Sequence, residues 1–303
     1  MSSHIKTENH KNTPLQKKLA RMHLLQDNMP QYKDMLNLFE LIIKEREKYK
    51  AKLSSAIDLH DIQDPVYYDL KLQKGLPLLV KNDIKFDNAL MTAYFTALLS
   101  IVKTKSNHSV EHIEALINQK EKLNFETLFN EYLHNESSLP RNTLLEFLIN
   151  QTLNLVLETY ADHLKHHIKF DKWENGFCPV CGEHPAMAAL KVDTGERILI
   201  CPACASEWHF QRTKCPFCKN QDQQQLSYLF VENDDKYRIE LCDECRQYLK
   251  TIDLRKVTPN IITDIDYEIE NIVTLHLDII ARDKGFINNH PDDSSSAVTQ
   301  FDN

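Results

Sequence analysis

The chain has 303 residues, 42% of them hydrophobic, with a formal net charge of −8 and a pI near 6.0, which provides for at least one sizeable core and room for two domains. No run of about 18 apolar residues occurs, so a membrane-spanning helix is excluded. Only five glycines are present, and neither G-x-G-x-x-G nor a Walker pattern is found, which argues against glycine-rich nucleotide-binding loops.

Residues 1–30 are polar and read as a flexible lead-in, with one short helix over about 15–26. The first firm helix is expected over 31–54, where Leu38, Leu41, Ile42 and Tyr49 make an apolar stripe and the run from Lys44 to Lys48 a solvated face. Between 58 and 86 the chain is irregular, broken by Pro65 and Pro77 around the apolar plug Leu76-Pro-Leu-Leu-Val80, which reads as packing. Helical periodicity returns over 87–104 in Leu90, Met91, Tyr94, Phe95, Leu98, Leu99 and Val102. Shorter stripes follow at Val110, Ile113, Leu116 and Ile117, and at Phe125, Leu128, Phe129, Tyr132 and Leu133. After Pro140 a long helix over 141–165 places Leu144, Leu148, Thr152, Leu155 and Val156 inward. The stripes define an α-helical domain over 31–172. His163, His166 and His167 close it; without a carboxylate or third histidine at a ligand spacing, they read as solvated or interface-lining.

All eight cysteines then fall between 178 and 245 as four C-x-x-C pairs: Cys178/Cys181, Cys201/Cys204, Cys215/Cys218 and Cys242/Cys245. A C-x-x-C turn aims two thiolates at one point, and two such turns complete a tetrahedral S4 site for zinc or iron. Between the first two pairs lie a strand-forming run from Met187, a turn at Asp193-Thr-Gly-Glu196 and a second run, Arg197-Ile-Leu-Ile200. The second two pairs flank Leu226–Val231, a turn at Glu232-Asn-Asp-Asp235 and Lys236-Tyr-Arg-Ile-Glu-Leu241. Alternating Trp208 and Phe210, and then Tyr248, Leu249 and Ile252, suggest a third strand in each unit.

Two tandem ribbons follow, at 173–212 and 213–258, with sequential pairing of their cysteines. An interleaved arrangement, in which the first and third pairs share a metal, is the alternative. Gly182 and Asn220 are expected to ease the knuckle turns by tolerating positive φ. Trp208 is expected to cover a knuckle, with His209 on the opposite, exposed face. No apolar signal segment opens the sequence, so a reducing cytoplasm is expected and disulfides are not. A closed S4 site most often only staples its fold, and whether these do more stays open. A C-terminal helix is expected within 259–287, over about 263–283, with Gly285 as its stop; residues 288–303 read as a disordered tail.

The run Phe177-Cys-Pro-Val-Cys-Gly182, then Cys201-Pro-Ala-Cys204, Glu207-Trp-His209, Lys214-Cys-Pro-Phe-Cys218 and Cys242-Asp-Glu-Cys245 resembles the FdhE family of formate dehydrogenase accessory proteins, as does His276-Leu-Asp-Ile-Ile-Ala-Arg-Asp-Lys-Gly285. The resemblance is specific over about 175–285 and general before it. It implies an α-helical domain followed by two rubredoxin-like units, in a cytoplasmic, non-enzymatic protein. Such a protein binds the catalytic subunit of a respiratory, molybdopterin-dependent formate dehydrogenase and assists its assembly. It favours iron as the two metal ions, whereas the spacing fits zinc equally; self-association into a homodimer stays open.

Two other classes compete. A nucleic-acid-binding zinc ribbon is disfavoured by charge: residues 173–256 carry 11 Lys and Arg against 13 Asp and Glu, and two metal–thiolate sites bring the segment to about −6, the wrong sign for phosphate. A rubredoxin-like electron-transfer protein would cycle an iron S4 centre between two oxidation states.

Overall fold

The computed structural model describes residues 13–56, 65–79, 84–105, 118, 124–133, 144–165, 170, 173–231, 234–262 and 265–288. Its helical part comprises α1 (Pro14–Asn28), α2 (Lys33–Ala56, after a 3-10 turn at Pro30–Tyr32), α3 (Pro65–Gln73), α4 (Asn88–Lys105), α5 (Phe125–Leu133) and α6 (Leu144–Leu164). The apolar stripes become one core. Met91, Tyr94, Phe95, Leu98, Leu99 and Val102 of α4 are buried against Ile42 and Leu53 of α2 and against Leu148, Leu155 and Val156 of α6. Thr152, inside that core, satisfies its hydroxyl by donating to the Leu148 carbonyl at 2.8 Å. The stripe from Val110 to Ile117, the side chains of Phe129, Tyr132 and Leu133, and residues 141–143 lie outside the described residues, as does the chain beyond 288.

The short helix expected over about 15–26 is present as α1, but it is packed into the molecule and is not a loose lead-in. A capping box between Thr13 and Gln16 starts α1, and Met22 and Leu25 are buried with Leu36 and Ile43 of α2 and with Ile269, Ile272 and Val273 near the C-terminus. Each such side chain contributes about 1.5–3 kcal/mol.

The six strands are β1 (Met187–Leu190), β2 (Arg197–Ile200), β3 (Glu207–His209), β4 (Leu226–Val231), β5 (Asp234–Cys242) and β6 (Gln247–Asp253). Each ribbon is three-stranded and antiparallel, but the two do not stand apart. β1 and β6 pair in parallel, from Met187↔Lys250 to Leu190↔Asp253, fusing them into one sheet of order β3-β2-β1-β6-β5-β4. One face carries Met187, Ala189, Ile198, Tyr237, Ile239 and Ile252, packed under Leu277, Ala281 and Phe286. The opposite face, with Ala188, Leu199, Trp208 and Leu249, joins the helical core. That cover stops short of β4, where Tyr228 and Phe230 are 54% and 58% exposed.

After a short α7 (Pro259–Ile262), the single C-terminal helix expected over about 263–283 is two, α8 (Tyr267–Val273) and α9 (Leu275–Asp283). Thr274 makes the break between the last two. Its hydroxyl donates to the Glu270 and Asn271 carbonyls at 2.7 and 3.2 Å, and its backbone leaves the helical region at φ −109°, ψ 18°.

Acidic α8 is clasped by the N-terminal helices. Arg21 meets Glu270 at 2.6 Å, Lys18 meets Glu268 at 2.6 Å, and the buried Arg46 reaches both Glu268 at 2.6 Å and Glu158 of α6 at 2.8 Å. Tyr237 of β5 donates its hydroxyl to Glu270. Burial alone would raise the Glu268 carboxyl, but Arg46 and Lys18 hold it far below the usual range.

Candidate metal centres

The first three C-x-x-C pairs sit in the same hydrogen-bonded backbone turn. The N–H of Cys178 donates to the Glu183 carbonyl at 2.8 Å, and the N–H of Gly182 returns to the Cys178 carbonyl at 3.0 Å. The pattern repeats as Cys201 to Ser206 (2.9 Å) with Ala205 to Cys201 (3.1 Å), and as Cys215 to Asn220 (2.8 Å) with Lys219 to Cys215 (3.0 Å). This turn demands a left-handed residue four places after its first cysteine. Gly182, Ala205, Lys219 and Arg246 occupy that place in the four knuckles, at φ 83°, 55°, 64° and 57°. The expectation at Gly182 holds; in the third knuckle the strained residue is Lys219, not Asn220. The side chain of Asn220 instead stiffens the following loop, accepting from the Asp222 N–H at 2.9 Å and donating to Gln225 at 3.1 Å.

The knuckles converge in sequence order. Cys178, Cys181, Cys201 and Cys204 form one cluster, and Cys215, Cys218, Cys242 and Cys245 the other; the sulfurs of each lie within 4.8 Å of one another. Sγ···Sγ distances are 3.5 Å for Cys178–Cys204, 3.4 Å for Cys181–Cys201 and 3.7 Å for both Cys215–Cys245 and Cys218–Cys242. A tetrahedron of sulfurs about 2.3 Å from a central ion has edges of about 3.8 Å, whereas a disulfide needs about 2.05 Å. Both clusters therefore have the size and the soft donor set for zinc or iron. Burial would raise the Cys178 thiol, but hydrogen bonds from Cys181, Cys201 and Cys204 bring it well below its ordinary value, while those from Cys178, Cys201 and Cys204 push Cys181 up. In the second cluster burial pushes Cys215 up to about 12. Cys242, despite burial, is lowered by hydrogen bonds from the Cys245 backbone and the Cys218 thiol.

The two centres differ in surroundings. Cys178, Cys201 and Cys204 are buried and Cys181 half-buried; in the second cluster Cys218 reaches the surface. The first is also tied to the helical part, because the N–H groups of Leu78 and Leu79 donate to the Pro179 and Val180 carbonyls, each at 2.8 Å. The plug read as packing thus grips the knuckle backbone, a role that its apolar composition does not signal. Trp173 and Trp208 donate their indole N–H groups to the Phe177 and Asn175 carbonyls at 2.8 and 3.1 Å, fixing the strand of chain that enters the knuckle. Trp208 is buried and His209 exposed, as strand alternation requires. His163 pairs with Ser54 at 3.0 Å, away from either centre; His166 and His167 lie outside the described residues. No helix among the described residues is long and apolar enough to cross a membrane.

Comparison with known proteins places these features. The family model described as "FdhE, central domain" matches residues 177–212. The "Protein FdhE homolog" of Aquifex aeolicus is 31% identical over 280 residues, covering 89% of this chain and 91% of that one. That of Shewanella oneidensis is 37% identical over 116 residues, covering 37% of this chain and 36% of its own. The crystal structure of the FdhE protein from Pseudomonas aeruginosa superposes with a TM-score of 0.67 at 21% identity, covering 93% of this chain and 96% of that one, which shows a shared fold. With a 31% identical relative matched over nearly its whole length, the chain belongs to the FdhE family.

Proposed function

We propose that this protein is a non-catalytic accessory factor that binds the catalytic subunit of a formate dehydrogenase in the cytoplasm and assists its assembly, with Cys178, Cys181, Cys201, Cys204, Cys215, Cys218, Cys242 and Cys245 each ligating one of two metal ions. The observation that carries the reading is the near-full-length kinship with an FdhE homologue together with two cysteine clusters at tetrahedral spacing. Iron bound there would supply a one-electron couple, and zinc a closed structural centre. The chain's own contribution is to hold four thiols at each point and to present the sheet beside them.

The test is co-purification of the tagged full chain with the catalytic subunit, alongside elemental analysis and a visible spectrum under anaerobic conditions. Two metals per chain and a retained subunit are expected. Metal-free protein overturns the ligand assignment, and absence of the subunit overturns the partner. A redox role is a second reading, supported by the exposure of Cys218; two irons with thiolate charge-transfer bands that bleach reversibly on reduction favour it, and two colourless zincs remove it.

A further inference from the structure

The turn that follows α9, from Lys284 to Ile287, closes on the fourth knuckle. Ile287 donates its N–H to the Arg246 carbonyl at 2.9 Å, and its own carbonyl accepts from the Tyr248 N–H at 3.0 Å. It thereby pairs in parallel with Gln247, on the side of β6 that β5 leaves open and ahead of Lys250, where β1 takes up that strand. The Arg246 guanidinium returns the contact. Its Nη2 donates to the Lys284 and Gly285 carbonyls at 3.0 and 3.4 Å, and its centre lies 3.9 Å from the centroid of the Phe286 ring. Its Nη1 holds Asp243, within the knuckle, at 2.8 Å. Phe286 is itself buried in the core under the sheet.

Arg246 occupies the left-handed place of its knuckle, at φ 57°, where a side chain is strained and glycine is not. The first two knuckles put Gly182 and Ala205 there, and neither has a side chain that reaches out. The other two accept the strain with long cations, and each cation is tied to a distant part of the chain. Lys219 donates to Asn175 Oδ1 at 3.2 Å, and Arg246 to the C-terminal turn. Capping the carbonyls at the end of α9 does not by itself call for a residue in that conformation. Arg246 also follows Cys245 directly, so a shift of its backbone moves one of the four sulfurs.

We propose that the turn Lys284–Ile287 is a latch coupled to the second metal centre, with Arg246 as the positioning residue between them. Closure of the latch holds the fourth knuckle in its left-handed turn, with Cys242 and Cys245 together; loss of the ion releases the turn. Such coupling is reciprocal, so whatever takes hold of the C-terminal turn loosens the second ion and spares the first. The proposal rests on the ligand assignment given above, which metal content tests by itself.

The test is the rate at which the zinc-loaded full chain yields its metal to a chromogenic chelator, measured also in the Cys178→Ser chain, which is expected to keep only the second ion. Arg246→Gly and Ile287→Pro, which removes the N–H given to the Arg246 carbonyl, should each speed loss of the second ion about tenfold, the effect of losing hydrogen bonds at a charged group. The first ion should leave at its usual rate. Combined, the two substitutions should do no more than either alone, because both open one latch. Arg246→Lys keeps a cation over Phe286 and a donor for the carbonyls, and should stay within about threefold of wild type. Ala205→Gly, the same backbone change in a knuckle without a tie, and Ile287→Ala should not speed release; circular dichroism checks that each variant is folded. A second ion held as long or longer in Arg246→Gly, equal acceleration of both ions, full additivity in the double variant, or Arg246→Lys as fast as Arg246→Gly overturns the latch. A wild-type chain that takes up no metal overturns the ligand assignment instead.

Discussion

Gly176 has an ordinary φ, and its need to be glycine is steric: a Cβ there would stand 1.8 Å from the carbonyl oxygen of Pro216, inside the third knuckle. The chain entering the first centre thus lies in backbone contact with the second. Gly176→Ala must push the two knuckles apart and should cost about 3 kcal/mol, seen as a lower midpoint of denaturant unfolding; an unchanged midpoint would contradict the close approach. The opposite change is expected at Ala205, left-handed at φ 55° with an exposed side chain. Ala205→Gly should stabilise by about 1 kcal/mol in the same assay, because glycine meets no Cβ penalty there. At this scale the clustering of the eight cysteines into two groups of four was legible, since C-x-x-C states its own geometry. The strained positions were less so: the turn is counted from the first cysteine, which selects Lys219 over the chemically more permissive Asn220. Arg197 carries no local signal, because its buried pairing with Glu240 depends on strands that only the folded sheet brings together.

The two ribbons repeat one design in unequal settings. The first is held at its knuckle by Leu78 and Leu79 and has no fully exposed cysteine, whereas the second presents Cys218 to solvent. A chelator should therefore remove one metal equivalent quickly and the other slowly, with the fast phase belonging to the second site; a single release rate would argue against this difference. Cys178→Ser and Cys242→Ser should each lose about one metal per chain, and Cys178→Ser should also loosen the helical contact, because metal-binding free energy is folding free energy in such units. The strands, and the helices with unbroken stripes such as α4, were readable from periodicity. α1 was read too weakly because Lys18 and Arg21 look solvated in sequence, and only their acidic partners some 250 residues later make them interior. The split between α8 and α9 escaped notice because threonine inside a helical pattern is common, and its back-bonding breaks the helix only where the packing around it also bends.

For the molecule as a whole, the clasp of α8 by α1 and α2 makes stability acid-sensitive. The folded-state pKa of Glu268 is depressed by Arg46 and Lys18, despite burial, and that of Glu240 by Arg197 and Arg238, despite burial. A depressed carboxylate contributes stability that is fully present above its unfolded value of about 4.3 and is lost as pH falls through the folded value. The contribution of these two carboxylates should accordingly be level near neutrality and decline below about pH 4.3. Glu268→Gln should be less stable at pH 7 and show a shallower decline, measured by urea unfolding at a series of pH values; parallel curves would remove Glu268 from the cause. The parallel pairing of β1 with β6 also orders events in time. At roughly 5–20 residues per second of synthesis, the about 60 residues between these strands take about 3–12 s to follow β1 from the ribosome. Until then the first ribbon carries a bare edge in the middle of what will become the sheet. The residues that grip its knuckle, Leu78 and Leu79, have already been made, so the nascent chain can close its first centre and wait for its own last strand.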